Sequence, residues 1–303
     1  MNHPEPAAWT IERAETPAQR GRAAEILVAH LPQPLASVRR DEIESSTTPR
    51  DLFLAIRGGQ AIGAVAAMRM PGQLSLFWPP RIAATEPVAT RQQLAAELIA
   101  ATVQSQAKDG VALAQAMLAP DEDPQPFVAA GFTHLARLIY LQTSLEAFPP
   151  QPPPQLSFEP LAAEDDDRFR SLLAATYQDT LDCPGVHQLL SVDATLASYR
   201  GQAGYDPKLW FIARHAEQDV GCLVLAAHSA DLWELVYMGL LPTARRQGLG
   251  HDLVAQSLWL AGQQGVRQMA LAVDAANTPA LAAYRRYGFE PFDVLEVYIQ
   301  PLA

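Results

Sequence analysis

The apolar and polar positions of the chain fall into two similar series of predicted elements. Each series begins with a short strand-like run, residues 9–12 in the first half and 156–159 in the second. A helical pattern follows in both halves, and then two strand-like runs that meet at a turn. Because both halves give the same order of elements, the pattern predicts a duplicated chain.

A proline-rich segment separates the two series. Residues 147–155 read Ala-Phe-Pro-Pro-Gln-Pro-Pro-Pro-Gln, which favours an extended conformation and cannot continue a helix or a central strand. We therefore predict a first domain at 1–148, a linker at 149–155 and a second domain at 156–303. The length of 303 residues suits two domains of about 150 residues each.

One fixed offset of 157 residues relates the two halves. It carries Gly131 onto Gly288 and Arg57 onto Arg214, and each match follows segments of similar character. Chance similarity between apolar strands is the alternative explanation, because such strands have similar compositions.

The most informative segment of the chain predicts a strand, a loop and a helix in succession. The strand-like run covers 232–241, the loop 242–250, and an amphipathic run 251–264. Gly248 and Gly250 allow the backbone to turn tightly at the start of the helix, so that consecutive N–H groups converge on an anion.

Two arginines strengthen this anion site. Arg245 and Arg246 place full charges beside the positive end of the helix, which predicts that the loop holds a pyrophosphate. An ordinary turn at a helix start, with exposed arginines, is the alternative interpretation.

Composition and charge narrow the classes of function. Hydrophobic residues make up 49% of the chain and charged residues 18%, which is typical of a globular protein with no membrane span. The formal charge of −11 argues against a nucleic-acid partner and favours a small or cationic one. Simple solubility explains an acidic surface equally well.

The cysteines and the first residues suggest the cytoplasm as the location. Cys183 and Cys222 are too few for a disulfide scaffold and form no metal-ligand cluster with nearby histidines, so we expect reduced thiols and no metal. The first six residues lack the basic and apolar regions of a secretion signal.

Two motifs at this spacing resemble one enzyme family. The pattern Arg245-x-x-Gly248-x-Gly250 resembles motif A of the GCN5-related N-acetyltransferases (GNAT), in which this loop binds the pyrophosphate of coenzyme A. Residues 277–289 read Asn-Thr-Pro-Ala-Leu-Ala-Ala-Tyr-Arg-Arg-Tyr-Gly-Phe and resemble the family's second signature. The resemblance covers residues 156–303.

The resemblance implies both a fold and a cofactor. It implies an α/β (α+β) chain of two tandem GNAT-like domains, each with a mixed, mainly antiparallel central sheet flanked by helices. It also implies acetyl-CoA as the cofactor. The predicted cofactor-binding residues are Tyr237, Met238, Gly239, Leu240, Arg245, Arg246, Gln247, Gly248, Leu249, Gly250, His251, Asn277, Ala280, Tyr284 and Tyr287.

Two residues match catalytic positions of the family. Glu234 resembles the strand glutamate that serves as the base for the amine, and Tyr284 the tyrosine that faces the thioester sulfur. In the family this strand diverges from its neighbour, and Gly239 would tolerate a bulge that exposes a backbone N–H to the carbonyl oxygen. A solvent-facing carboxylate and a packing tyrosine are the alternatives.

The acceptor site is predicted before these motifs. Its candidates follow a probable helix and surround a proline-glycine turn, where carboxylates could hold a cationic acceptor. They are Tyr177, Thr180, Asp182, Cys183 and His187. An ordinary polar loop is the alternative, and direct transfer needs no cysteine nucleophile.

The N-terminal half lacks this chemistry. The fixed offset carries Glu234 onto Phe77 and Tyr284 onto Phe127, and it carries the two loop glycines onto Arg91 and Gln93. We therefore expect a degenerate, non-catalytic domain that shapes the acceptor cleft. Activity in the second of two tandem domains resembles the mycothiol synthases of this superfamily.

The predicted function is transfer of an acetyl group from acetyl-CoA to an amine by direct attack on the thioester. The alternative is an acyl-CoA-binding sensor or interaction protein without turnover. A small amine, an aminoglycoside-like cation, a thiol-containing metabolite and a protein N-terminus all remain open as acceptors. A longer acyl group and the oligomeric state are open as well, and no nucleic-acid or membrane partner is expected.

Overall fold

The fold is described from a computed structural model of the chain. The description covers residues 8–32, 36, 40, 50–147, 149–152 and 155–302. Parts of two sequence predictions lie outside these residues: the first six residues, and positions 153–154 of the linker.

In each half of the chain, a first strand and a helical region precede strands that meet at a turn, as the sequence predicts, although the second half has three helices in that region. The strands are β1 Thr10–Arg13, β2 Arg50–Arg57, β3 Gln60–Met70, β4 Leu74–Ile82, β5 Leu113–Leu118, β6 Thr133–Ser144, β7 Ser157–Pro160, β8 Tyr205–His215, β9 Gln218–Ala227, β10 Leu232–Leu240, β11 Gln268–Asp274 and β12 Glu290–Pro301. The helices are α1 Pro17–Val28, α2 Val88–Lys108, α3 Gln125–Ala129, α4 Asp166–Thr176, α5 Pro184–Leu189, α6 Val192–Arg200, α7 Leu249–Gln263 and α8 Thr278–Arg286. Short 3-10 turns lie at Ala163–Asp165 and Pro242–Ala244.

The chain packs into two compact units. Unit 1 contains Met1–His134 and Val297–Ala303, and unit 2 contains Leu135–Glu296. This division differs from the linker-based one, because strand pairing places most of β6 in unit 2 and the end of β12 in unit 1. The proline-rich segment stays our proposed boundary between the two halves of the sequence.

Unit 1 is a mixed sheet with a helix on each face. Its strands follow the order β1-β2-β3-β4-β5, antiparallel except for the parallel pair β4–β5, and Leu302 N donates to Ala112 O beside β5. Alternation along β2 sends Leu52 and Leu54 to a core with α1, whereas Phe53 packs with α2. A capping box at Thr16 fixes the start of α1.

Unit 2 has the same plan. Its strands follow the order β7-β8-β9-β10-β11-β6, in which β10–β11 is the parallel pair. Helices α7 and α8 cover one face through a core that includes Leu253, Leu235 and Leu271. Helices α4 and α6 cover β8 and β9 on the other face, where Phe169 packs on Trp210. The predicted mixed sheet flanked by helices is confirmed.

The fixed offset holds in some places and fails in others. The φ angles of Gly131 and Gly288, at matched turns, are 99° and 75°. Helix α2 instead begins after Pro87 and α7 after Gly248, so the match of Gly248 with Arg91 is wrong. The cause is the longer loop between strand and helix in unit 2, residues 241–248 against 83–87.

Among the residues that the structure describes, none of the helices is sufficiently long and apolar to cross a membrane. In the same residues, three or more His, Cys, Asp or Glu side chains never come together in a group that could hold a metal ion.

Candidate active site

The parallel strands β10 and β11 of unit 2 separate part of the way along their length. Leu232–Glu234 pair with Gln268–Ala270. Beyond these residues the two strands continue, to Leu240 and to Asp274, without pairing with each other. A cavity of about 590 Å³ lies where they diverge. The separation leaves backbone groups of β10 without a β11 partner, within reach of a bound molecule.

Strand β10 also carries a β-bulge, but not at Gly239. The register with β9 shifts between Leu235 and Tyr237, so Val236 is the extra residue. The bulge turns Tyr237 towards α4, where its hydroxyl lies 3.0 Å from Thr176 Oγ1. Gly239 is needed for a different reason, because a Cβ there would lie 2.5 Å from the Tyr237 hydroxyl oxygen.

Glycines shape the start of helix α7. Gly248 is the N-cap with a φ of 84°, and Arg246 also has a positive φ, 63°. A Cβ built at Gly248 or Gly250 would meet no atom within 4 Å, so a side chain there would fill open space before the first-turn amides. Such amides, at the positive end of a helix dipole, attract anions.

The two arginines of this loop have different environments. Arg245 lines the cavity, but its guanidinium donates to the carbonyl oxygens of Leu240, Asp179 and Thr176 at 3.1, 3.0 and 2.8 Å. It therefore joins the loop to the ends of β10 and α4. Arg246 also lines the cavity, with its backbone in the left-handed conformation.

Helix α8 supplies the opposite wall. The Asn277 side chain accepts a hydrogen bond from Ala280 N at 3.3 Å and caps the helix. Tyr284 is buried and lines the cavity. Burial raises its pKa, and the nearby Asp182 carboxylate raises it further, so the phenol is protonated and can donate a proton.

Most residues predicted to bind the cofactor line this cavity. These are Tyr237, Met238, Gly239, Leu240, Arg245, Arg246, Gly250, Asn277, Ala280 and Tyr284. Five predicted residues are not part of the lining: Gln247, Gly248, Leu249, His251 and Tyr287. The first four belong to the loop or to the first turn of α7, and the His251 ring lies 6.1 Å from that of Tyr287.

Glu234 does not line the cavity. Its carboxylate lies 2.6 Å from His228 Nε2, and 30% of its side chain is exposed. Trp233 and Leu235 both pack against the α7 side of the sheet, so Glu234 points to the other face. Its role as the base stays a prediction that needs a water or an acceptor to bridge the gap.

The predicted acceptor segment divides into two groups. Thr180 and Asp182 line the cavity, whereas Tyr177, Cys183 and His187 do not. The ring of Tyr177 stacks on that of His187 with centroids 3.7 Å apart. Burial lowers the pKa of His187, which favours the neutral imidazole in this stack.

Asp274, at the end of β11, is a neighbour that the sequence analysis missed. It accepts hydrogen bonds from Cys183 N at 3.2 Å and Ala276 N at 2.8 Å, and its own N donates to Asp182 at 3.4 Å. Burial, and the two carboxylates after it, raise the pKa of Cys183. A protonated thiol is a poor nucleophile, which agrees with direct transfer.

Other lining residues were also absent from the sequence prediction. They are Thr176, Leu181, Leu235, Val236, Pro242, Leu253, Ala272, Val273, Pro279 and Ala283. Asp179, a carboxylate of the predicted acceptor segment, also lines the cavity. Ala272 and Val273 follow from the separation of the strands, because whatever lies between β10 and β11 must touch both.

Part of the chain is similar in sequence to known proteins. Residues 167–289 match the model of the acetyltransferase (GNAT) family. The mycothiol acetyltransferase of Mycolicibacterium gilvum is 30% identical over 176 residues, 54% of this chain and 55% of that protein. The mycothiol acetyltransferase of Streptomyces scabiei is 31% identical over 175 residues, 55% and 54% respectively. The matched region thus spans about half the length of these relatives.

Solved structures share the fold along nearly the whole chain. A GCN5-related N-acetyltransferase from Sphaerobacter thermophilus has a TM-score of 0.61 at 17% identity and covers 97% of this chain and 96% of its own. A tandem GNAT protein from the clavulanic acid biosynthesis pathway has a TM-score of 0.53 at 15% identity and covers 98% and 99%.

Proposed function

We propose that this protein is an acetyl-CoA-dependent N-acetyltransferase acting on an amine, because residues 167–289 match the acetyltransferase (GNAT) family model and a tandem GNAT protein shares the fold along the chain. The observation that carries the proposal is the cavity between β10 and β11, which opens beside the glycine-capped start of α7. The match to two mycothiol acetyltransferases supports a small-molecule amine as the acceptor.

The residues of unit 2 fit a coenzyme A molecule. The amides of 247–251 would hold the pyrophosphate, with Arg246 beside them, because a glycine N-cap leaves those groups uncovered. The unpaired edge of β10 and the side of Asn277 would hold the pantetheine arm. When bound, acetyl-CoA supplies an activated thioester.

The side chains then have separate tasks. Glu234, hydrogen-bonded to His228, accepts the proton of the acceptor ammonium group, although its side chain lies outside the cavity. A β10 backbone N–H stabilises the carbonyl oxygen as the N–C bond forms and the C–S bond breaks. Tyr284 donates its phenolic proton to the departing thiolate.

The acceptor and the location are finer parts of the same proposal. A small amine, an aminoglycoside-like cation, a thiol-containing metabolite and a protein N-terminus are the acceptor classes to test. The formal charge of −11 favours the cationic ones. We propose the cytoplasm as the location, because both cysteines are free thiols.

A coupled assay tests the proposal. Purified protein is mixed with acetyl-CoA and, in turn, spermidine, glucosamine, cysteamine or a peptide with a free N-terminus. Acetylated product is measured by mass spectrometry, so that a thiol acceptor does not disturb detection of free CoA. Product that depends on both substrates supports an enzyme. Saturable CoA binding without product from any of these amines supports the non-catalytic sensor instead.

A further inference from the structure

One face of the unit 2 sheet carries polar side chains around a row of alanines. Along the middle strand β11, Ala270 lies between Glu234 of β10 and Gln142 of β6 in the strand register. Two residues further, Ala272 pairs with Tyr140 of β6. Residues paired across strands share a face, so all five side chains project to the same side.

The opposite face is filled, which fixes this orientation. Leu235, Leu271 and Leu141 alternate with the polar set and belong to the core under α7. On the polar face, β11 carries the methyl groups of Ala270 and Ala272 between the long side chains of β10 and β6, with Gln268 and Asp274 at the two ends of the row. We infer from this register a shallow channel with an alanine floor, which we call the alanine channel. Ala272 also lines the cavity between β10 and β11, so the two spaces meet there.

The walls of the alanine channel differ in chemistry. On one side lies the Glu234 carboxylate with His228 at 2.6 Å. On the other lies the Tyr140 ring, which packs edge-on against Phe292 with centroids 6.1 Å apart and an interplanar angle of 65°. The Phe292 side chain is 53% exposed and extends this aromatic wall.

The Tyr140 phenol lies in an acidic environment. Burial raises its pKa to about 12, and the carboxylates of Glu234 and Asp293 contribute to the increase. Tyr140 therefore stays neutral and presents a hydrogen-bond donor and an electron-rich ring face beside two negative charges. These are the features that attract an organic cation.

We propose that the alanine channel is the acceptor site and that it takes a small organic ammonium compound, with Tyr140 as the residue that selects for it. The ammonium group lies between the Glu234 carboxylate and the Tyr140 ring, at the end of the channel that meets the cavity, and its carbon skeleton extends over the alanine floor away from Ala272. This inference rests on the proposed acetyltransferase function, whose cavity supplies the second substrate. It also gives Glu234 a direct contact with the acceptor, although that side chain lies outside the cavity.

The proposal changes which segment selects the acceptor. The sequence analysis assigned that task to residues 177–187, in the second half of the chain. Tyr140 belongs to β6, which lies before the proline-rich segment but pairs with β11 of unit 2. Because of this pairing, a residue from the first half of the sequence lies at the proposed acceptor site.

Isothermal titration tests the channel separately from turnover. Spermidine, glucosamine, cysteamine and the peptide are titrated into CoA-saturated wild-type protein, and the tightest binder is then titrated into Tyr140→Ala and Tyr140→Phe. We expect the Kd for the amine to rise about tenfold in the alanine variant, as for loss of a partly desolvated cation–π contact, and less than threefold in the phenylalanine variant. The Kd for CoA is unchanged in both.

Tyr205→Ala is the matched control. Tyr205 is an exposed tyrosine of the same sheet face, but it pairs with Ala226, on the side of β10 away from β11. Its loss leaves the Kd of the amine within twofold of wild type, and thermal melting checks that each variant is folded.

The outcomes separate the two proposals. Amine binding that is equally tight in Tyr140→Ala and wild type overturns the channel, even if the enzyme turns over. Binding that weakens as expected, but without product from wild type, overturns the enzyme and leaves the channel as a binding site. If none of the four amines binds, the channel proposal is overturned.

Discussion

Units 1 and 2 each contain a cleft between two parallel strands that separate, and the clefts differ in the loop before the helix and in the side chains that line them. In unit 1, β4 and β5 pair over Leu74–Phe77 and Leu113–Ala116, and a space of about 430 Å³ lies beyond, beside the start of α2. In unit 2, the corresponding space lies between β10 and β11 beside α7. The two units therefore share a backbone plan, and the proposed acetyl-CoA site depends on the loop and the side chains of unit 2.

Polar contacts join side chains that line the cleft of unit 1. Arg81 donates to Glu122 at 2.9 Å, and Gln92 to Asp123 at 3.0 Å. Phe127, in the position of Tyr284, has no proton to donate, and its ring packs in the core. The cleft of unit 2 instead opens onto glycines and a neutral phenol.

The two units also treat buried carboxylates differently. In unit 1, Asp51 is 1% exposed and bonds with Arg13, Arg69 and Gln106. Burial opposes ionisation, but these partners together hold its pKa below the usual value. In unit 2, the pKa of Asp182 is raised by burial beside Asp274. The buried carboxylate of unit 1 thus stabilises the fold through its ion pairs, whereas the buried carboxyl group of unit 2 lines a cavity.

The largest effect that sharpens this comparison is on stability. Asp51→Asn removes one partner of a buried ionic network, and we expect a loss of about 3–5 kcal/mol in the free energy of unfolding at pH 7. Since the pKa is lowered in the folded state, the stabilisation is present above the unfolded value near 3.8 and is lost as the pH falls through the folded value. Urea unfolding at pH 7 and pH 3 measures the difference, which should shrink at pH 3. A penalty of equal size at both values would contradict the ionic explanation.

The next effect is on catalysis. Glu234→Gln should lower kcat/KM by about 10²–10³, because the acceptor must then lose its proton without a positioned base. Glu122→Gln changes a carboxylate in the unit 1 cleft and should leave kcat/KM within twofold. Steady-state kinetics at saturating acetyl-CoA compares them. Equal losses in the two variants would mean that Glu234 is not a specific base for the acceptor.

The sequence predicts the elements and the glycine turn at the start of α7 well, because both depend on local pattern. The strand predicted at 9–12 is found at Thr10–Arg13, and the one at 156–159 at Ser157–Pro160. Gly248 has the left-handed conformation for which glycine was expected. Hydrophobic periodicity and glycine positions are properties of a few neighbouring residues.

The remaining errors involve contacts between distant residues. Pairing of β6 with β11 could not be read from either strand, since a strand pattern does not name its partner. The fixed offset matched Phe77 to Glu234, but Phe77 packs with α2 whereas Glu234 points away from α7. Leu76 lies on the sheet face that corresponds to that of Glu234 and is the better match. Arg245 appeared free to bind phosphate, but three of its bonds go to carbonyl oxygens.

The smallest effect concerns the cleft of unit 1. Arg81→Ala removes the ion pair with Glu122, which is partly exposed, and should cost no more than about 1 kcal/mol in the free energy of unfolding. No second acetyl-CoA site should appear, because α2 begins after Pro87 and its loop has no counterpart of the glycine pair. Titration with acetyl-CoA gives the stoichiometry. A rise from one site to two would show that the polar contacts alone had blocked binding.

The central claim is that the start of α7, and not the start of α2, holds the pyrophosphate. Gly250→Asp and Ala89→Asp place a carboxylate at the second residue of α7 and of α2, respectively. At that position a negative charge interacts favourably with the helix dipole, so neither variant should disturb folding. Calorimetric titration with CoA should give about a hundredfold weaker Kd for Gly250→Asp, because like charges then meet, and a Kd within twofold of wild type for Ala89→Asp. Full affinity in Gly250→Asp, or loss of affinity in Ala89→Asp alone, would contradict the account.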